Sequence, residues 1–420
     1  MLKAGALLYA VVIALLMAII SSSLILYAYF NRFAIDSLLL KERLDDNAIS
    51  GINLLISDPE LFKPDIFEPY DLFGSGTDSI LVKRVPWGMY EVAVCKAFSG
   101  IHESIKYALY GASVLSDTNS YALYLADAGD QLSITGHTVI KGNCFVPGGS
   151  IKRGYIEGQS FSGAKTSEGQ VYSSKKNLPL INKDVVERNK VFFQKQSILD
   201  KDMFTTDSIS STDSIYNSFE NAPLVIPELA ELKDVSITGN VIIVSANQIN
   251  ISKSALLENV IIYAPEISIE DDFRGTLQAF ASENIVVGDN VHLEYPSSLT
   301  IITDAKRDTS ATISIGENCE IQGCLTLVSE SEKGNLRDKI SLGKNSSVYG
   351  QVYCDSYFEL KGSVYGQVLC NKFILKTPSS MYENNLLGCT IDNAKLPANF
   401  AGSMLLERKI RQIAEWLPSP

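Results

Sequence analysis

Histidine is scarce in this chain, with only His102, His137 and His292 among 420 residues. None of them stands in a zinc-protease or nucleophile-elbow motif, so metal-hydrolase and Ser-His-Asp chemistry have no support in the sequence. The seven cysteines lack metal-ligand spacing, since Cys319 and Cys324 are remote from any histidine, and the odd count leaves at least one unpaired. No glycine-rich phosphate loop is present, and no cofactor is expected. Basic residues are in deficit, 36 Lys and Arg against 48 Asp and Glu for a net charge of -12, which argues against nucleic acid as a partner. An apolar content of 46% is ample for a core and for two or three structural units.

What is present is repetition. Ser347-Val348-Tyr349-Gly350-Gln351-Val352 returns 16 residues later as Ser363-Val364-Tyr365-Gly366-Gln367-Val368, with Cys354 and Cys370 at the same offset. So short a period implies one strand-and-turn unit laid on the next. Degenerate copies lie upstream at Asn240–Val244 and Asn259–Tyr263. The triplets Ile249-Asn250-Ile251, Ile267-Ser268-Ile269, Ile285-Val286-Val287, Ile313-Ser314-Ile315 and Ile340-Ser341-Leu342 each place apolar groups two apart, on one face of a strand. Three of them end in Gly and then Asn, at Gly288/Asn290, Gly316/Asn318 and Gly343/Asn345, residue types that tolerate the left-handed backbone of a corner. Leu132–Gly136 resembles Val235–Gly239, so the repeats are expected to start near residue 121 and be interrupted. Val348, Tyr349, Val352 and Cys354 are expected to lie beneath Val364, Tyr365, Val368 and Cys370 in parallel register. The cysteines read as an inward ladder of small apolar groups.

The short coils with Val/Ile alternation and Gly corners, as in Gly343–Val368, resemble bactofilins, polymer-forming β-helical cytoskeletal proteins, over about residues 235–393. They share their rhythm with other right-handed β-helices of pectin-lyase-like shape. The fold class expected is mainly β, a right-handed parallel β-helix (solenoid), with an N-terminal transmembrane helix and a small α+β pilin-like or capping region. A β-sandwich or barrel without stacking is the alternative.

Residues 4–30 carry no charged side chain and as a helix span about 40 Å, enough for a hydrocarbon core of about 30 Å. The segment reads as an uncleaved anchor, the alternative being a signal peptide cleaved after the small residues Ser21 and Ser23. Helical spacing continues through Ile35, Leu38, Leu39, Ile49, Ile52 and Leu55 until Asp58-Pro59 stops it. Ala4–Leu8 followed by Asn47–Ile52 resembles the Gly-start helix of type IV pilins and type II secretion pseudopilins, although Ala10 stands where most of these carry Glu. That resemblance implies a cytoplasmic N-terminus and an external body.

The expected organisation is a transmembrane helix over 1–30, its amphipathic extension over 31–58, a small β-rich region over 59–120, and first solenoid coils over 121–158. A polar insertion over 159–234, β-helix coils over 235–393 and a C-terminal cap helix over 394–420 complete it. The function expected is that of a non-enzymatic structural or assembly protein of the cell envelope, single-pass in a bacterial inner membrane with its body on the periplasmic or external side. Its partners are membrane lipid, through residues 4–30, and other envelope proteins or further copies of itself. The alternative is a membrane-tethered polysaccharide-binding or polysaccharide-degrading protein. For that chemistry the nearest clustered group is Asp271, Asp272 and Arg274, which falls at an expected corner beside Gly275. No residue is assigned a catalytic, cofactor-binding or metal-binding role.

Overall fold

The computed structural model describes residues 4–74, 79–115, 121–193, 204–205, 214–303, 307–330, 337–408 and 410–418. The protein is mainly β with one long helix at its start, and it divides into two units, Met1–Lys83 with Val94–Lys106, and Arg84–Ala93 with Tyr107–Pro420.

The first unit is built on α1, Ala4–Ser57. From Gly5 to Leu39 every residue of α1 is exposed, apolar or not. The helix then becomes amphipathic, burying Leu44, Ala48, Ile52 and Leu55 at the three-to-four-residue spacing of one face. Gly51 lies on that face because a Cβ there would come within 2.4 Å of Cys95 Sγ and 2.6 Å of Ile80 Cδ1. Lys106 reaches Asp45 at 3.5 Å, and Ser104 also donates to that carboxylate. As expected the helix stops at Ser57, before Asp58-Pro59. The strand Glu68–Asp71 pairs antiparallel with Ser79–Val82.

In the second unit most of the strands between Leu123 and Asp392 link into a closed parallel barrel, while Leu132–Thr135, Ile151–Arg153 and Asn385–Leu387 form a separate three-stranded sheet and Tyr155–Ile156 pairs with Gln159–Ser160. The expected register holds residue for residue, with Val348, Tyr349, Val352 and Cys354 opposite Val364, Tyr365, Val368 and Cys370 in parallel. The five triplets also follow one another, Ile249 opposite Ile267, then Ile285, Ile313 and Ile340. All five isoleucines are buried, each contributing about 1.5–3 kcal/mol of apolar transfer free energy. Cys354 and Cys370 are buried free thiols, and burial pushes both well up from the ordinary thiol range.

The corners divide their labour differently from the sequence expectation. Asn290, Asn318 and Asn345 take the left-handed backbone, with φ of 58°, 57° and 58°. The glycines are required by close approach instead, since a Cβ on Gly316 would lie 2.5 Å from Gly288 O and one on Gly343 2.2 Å from Gly316 O.

Three expectations are corrected. Residues 121–158 do join the barrel, but beyond its last repeat rather than before its first, for Leu123–Leu125 pairs with Val368–Cys370 on one side and with Cys144–Phe145 on the other. The polar insertion over 159–234 is narrower than expected. Val171–Ser173 pairs with Cys144–Val146, and Ser214–Asn217 and Leu224–Pro227 pair with Ser236–Val244. The described residues of 394–420 form no cap helix. They form the strands Ala401–Gly402 and Arg411–Leu417, both antiparallel to Tyr107–Ser113, because the main-chain groups of that strand offer an edge that a helix could not satisfy. Asp207-Ser208-Ile209, which the sequence repeats as Asp213-Ser214-Ile215, lies outside the described residues.

Candidate functional site

The chain path creates a strap. After Val171–Ser173 at one end of the parallel series, residues 174–193 run alongside the barrel, including the helix α2, Lys183–Lys190. α2 is N-capped by Asn182, whose side chain accepts from Asp184 N at 3.0 Å.

The strap is fastened at both ends. Ser174 N donates to Val146 O at 3.0 Å, Asp127 N to Lys175 O at 2.9 Å, and Lys175 N to Tyr124 Oη at 3.1 Å. Farther along, Arg188 donates to Gly88 O and Tyr90 O at 2.9 Å and pairs with Glu91 at 3.2 Å. Tyr263 Oη donates to Asn189 Oδ1 at 2.6 Å, and Phe192 stacks on Tyr263 with centroids 4.5 Å apart.

Outward-pointing side chains follow one another in register along the barrel. Tyr124 stacks on Phe145 and Phe145 on Tyr172, with centroids 5.6 and 5.0 Å apart, and at the other end Tyr263 stacks on Phe280 at 4.8 Å. A second outward series, Gln278, Ser298, Cys324, Gln351 and Gln367, is covered by neighbouring chain. Gln278 accepts from Met89 N at 2.8 Å, Gln351 from Ser403 Oγ at 3.0 Å, and Gln367 from Arg408 at 2.6 Å.

Between Lys175 and Ile181 the strap bridges three clefts, of about 680, 320 and 230 Å³. The two smaller ones share Asn177, Asp355 and Asn371. Asp355 is the chemically unusual member. Its Oδ2 accepts from Ser329 N at 2.7 Å, whereas its Oδ1 is buried without a hydrogen-bond partner among the described residues. Burial, reinforced by the Asp338 carboxylate and opposed by the Ser329 amide, pushes the Asp355 carboxyl up to about 7.

Asp338 goes the other way. Burial works against its charge, but Arg307, the Ser329 hydroxyl and Ala311 N all donate to it and hold it below the usual carboxylate range. Two carboxyls joined through Ser329 are therefore driven apart in acidity, one a fixed anion and the other a neutral acid up to near pH 7. With its oxygens taken by these donors Asp338 cannot serve a ligand, while Asp355 can.

Compared with protein-family models, with curated proteins and with solved structures, the chain matches none.

The structure places Asp271 and Asp272 at a corner, where Asp271 Oδ1 accepts from Asp289 N at 2.7 Å and Asp272, at φ 64°, accepts from Asn290 Nδ2 at 3.3 Å. Asp289 repeats the same contact to Glu317 N at 2.7 Å. These carboxylates thus bind the amides of the next corner. Arg274 lies opposite His292 in the neighbouring strand. His137 contacts Ser162 Oγ at 2.8 Å, and His292 lies 4.0 Å from Glu320.

Sequence reasoning missed Asp355 and Asp338. The available signal was that the two-fold echo breaks just after Cys354, where Asp355 occupies the position held by Asn371 in the next copy.

Proposed function

We propose that this chain is a non-enzymatic, membrane-anchored cell-envelope protein in which α1 crosses a bacterial inner membrane and tethers a right-handed β-helix on the external side. In this reading the closed parallel barrel is a stack of coils, resembling bactofilins and pectin-lyase-like helices. Its regular faces meet other envelope proteins or further copies of the chain.

The observation that carries the anchor is the split character of α1. Residues 5–39 expose Leu15, Leu16, Ile19, Ile20 and Leu24 among many other apolar side chains, while the same helix buries Leu44, Ala48, Ile52 and Leu55. Bare apolar surface over some 50 Å of helix is costly in water and favourable in hydrocarbon. A continuous helix with a bare outer half and a packed inner half is also the feature shared with pilins and pseudopilins. Support for coils comes from the pairing itself, in which each strand meets its equivalent one repeat on. A stack held by such ladders is stiff and presents regular faces, which suits assembly.

Fractionation with intact-mass analysis tests the anchor. The full chain should remain with membranes and keep residues 1–31, and a version lacking them should be soluble. A soluble full-length product beginning near Leu24 would identify a cleaved signal and remove the anchor from this reading.

A further inference from the structure

The clefts around the strap are not used by an anchored scaffold. We propose that they form one binding trough for a linear neutral glycan, with Asp355, Asn371 and Asn177 at its centre. This inference goes beyond the scaffold reading and does not depend on the anchor.

Its first support is shape. The clefts of about 680, 320 and 230 Å³ all include Asn177, so an elongated ligand can pass along the strap from one to the next. The combined space falls in the range of ordinary ligand sites.

The second support is Asp355, which lines two of the clefts and whose buried Oδ1 has no hydrogen-bond donor among the described residues. Buried polar atoms in native proteins are nearly always paired, so this one calls for a donor from outside the chain. A hydroxyl fits best because it both donates and accepts. It can therefore serve Asp355 in either protonation state while also taking hydrogen bonds from Asn177, Asn371 or the exposed Lys176. Apolar surface for the carbon faces of a sugar is present as well, from Leu178 and Leu180 (81% exposed).

Charge selects among sugars. Lys176 and Lys372 face Asp355 across the 320 Å³ cleft, but Asp127 lies there too and Glu383 holds Lys372 at 2.6 Å. Behind Asp355, Arg307 is bound by Asp338. Over the three clefts Lys175, Lys176, Lys372 and Arg408 are set against Asp127, Asp355, Glu383 and Glu407, which leaves little cationic surplus for a polyanion, and the chain as a whole carries -12.

The test is isothermal titration of the full-length protein in detergent with neutral hexasaccharides of glucose, xylose, mannose, galactose and N-acetylglucosamine, with hexagalacturonate and with the monosaccharides. At least one neutral hexasaccharide should bind at least tenfold more tightly than its monosaccharide and than hexagalacturonate. Asp355→Ala should weaken it at least tenfold, and Asp355→Asn, which keeps a donor and an acceptor, less than threefold. Lys176→Ala, on the exposed strap, should weaken it several-fold without altering the circular dichroism. The proposal is overturned if no neutral hexasaccharide binds, if hexagalacturonate binds more tightly, or if folded Asp355→Ala or Lys176→Ala protein binds as the wild type does.

Discussion

Two stretches of the same parallel barrel are built by different rules. Between Ser236 and Lys376 long strands of 9 to 14 residues alternate with short ones such as Ile249–Ile251 and Thr312–Ile315, and all meet partners a short distance on in sequence, as Val348 meets Val364. Between Leu123 and Ser173 the strands that join the barrel are all only three residues long, and Leu123 meets Val368, far away in the chain. The first stretch repeats because each strand is the template for its sequence neighbour. The second need only match one surface, so no repetition is imposed on it. Every strand of the first stretch is flanked on both sides, whereas Val171–Ser173 has a partner strand on one side only among the described residues. The first should therefore be the stable part and the second the part that opens.

The sharpest way to break that contrast is a charge inside the repeating part. Val352→Asp buries an unpaired carboxylate and should cost several kcal/mol, against a total margin of about 5–15 kcal/mol for a domain. Loss of the cooperative thermal transition is the expected readout. A cavity in the second stretch should do less. Leu123→Ala should cost about 2–5 kcal/mol, and hydrogen exchange should rise first at 121–173 while the amides of Val352–Cys354 stay slow. Equal acceleration in both stretches would erase the distinction drawn here.

Asp355 offers a smaller, pH-dependent probe of the first stretch. Its folded acidity near pH 7 lies above the unfolded value of about 3.9, so the folded state holds the proton more tightly. The resulting contribution is fully present below about pH 4 and is lost as pH rises through 7. Asp355→Asn should match the wild type near pH 4 and exceed it at pH 8 by on the order of 2–4 kcal/mol, read as a difference in melting temperature. The smallest effect is expected at Lys395, whose ammonium lies 4.1 Å from the centre of the Tyr365 ring. Lys395→Ala should cost about 0.5–1 kcal/mol.

How much of this was legible follows from the same physics. The register of Val348 with Val364 and the five isoleucine triplets could be read directly, because a repeat at constant phase leaves identical residues at equivalent sites. Residues 121–158 were recognised as related strands but misplaced, since spatial order is not written into a three-residue strand, and Val171–Ser173 falls in the stretch that reads as a polar insertion. The segment from Leu405 to Leu417 shows helical spacing at Leu406, Ile410, Ile413 and Trp416, yet tertiary demand prevailed and Arg411–Leu417 pairs with Tyr107–Ala112. Gln351 and Gln367 belonged to the visible echo, but their role in meeting Ser403 and Arg408 depends on chain that returns from far away. Asp355 was hidden for a similar reason, as its acidity depends on burial and on Asp338, which only folding brings together.

The stacked-coil reading is tested most directly by removing one coil. Deleting residues 347–362 joins Ser346 to Ser363 and leaves Ile321 to meet Val364 and Leu325 to meet Val368, in the phase they now share with Val348 and Val352. Deleting 351–362 instead removes twelve residues and breaks that phase. Thermal unfolding monitored by circular dichroism should show a cooperative transition for the sixteen-residue deletion and none for the twelve-residue one. If neither protein folds, or if both unfold alike, the strands are not interchangeable coils and the account is wrong.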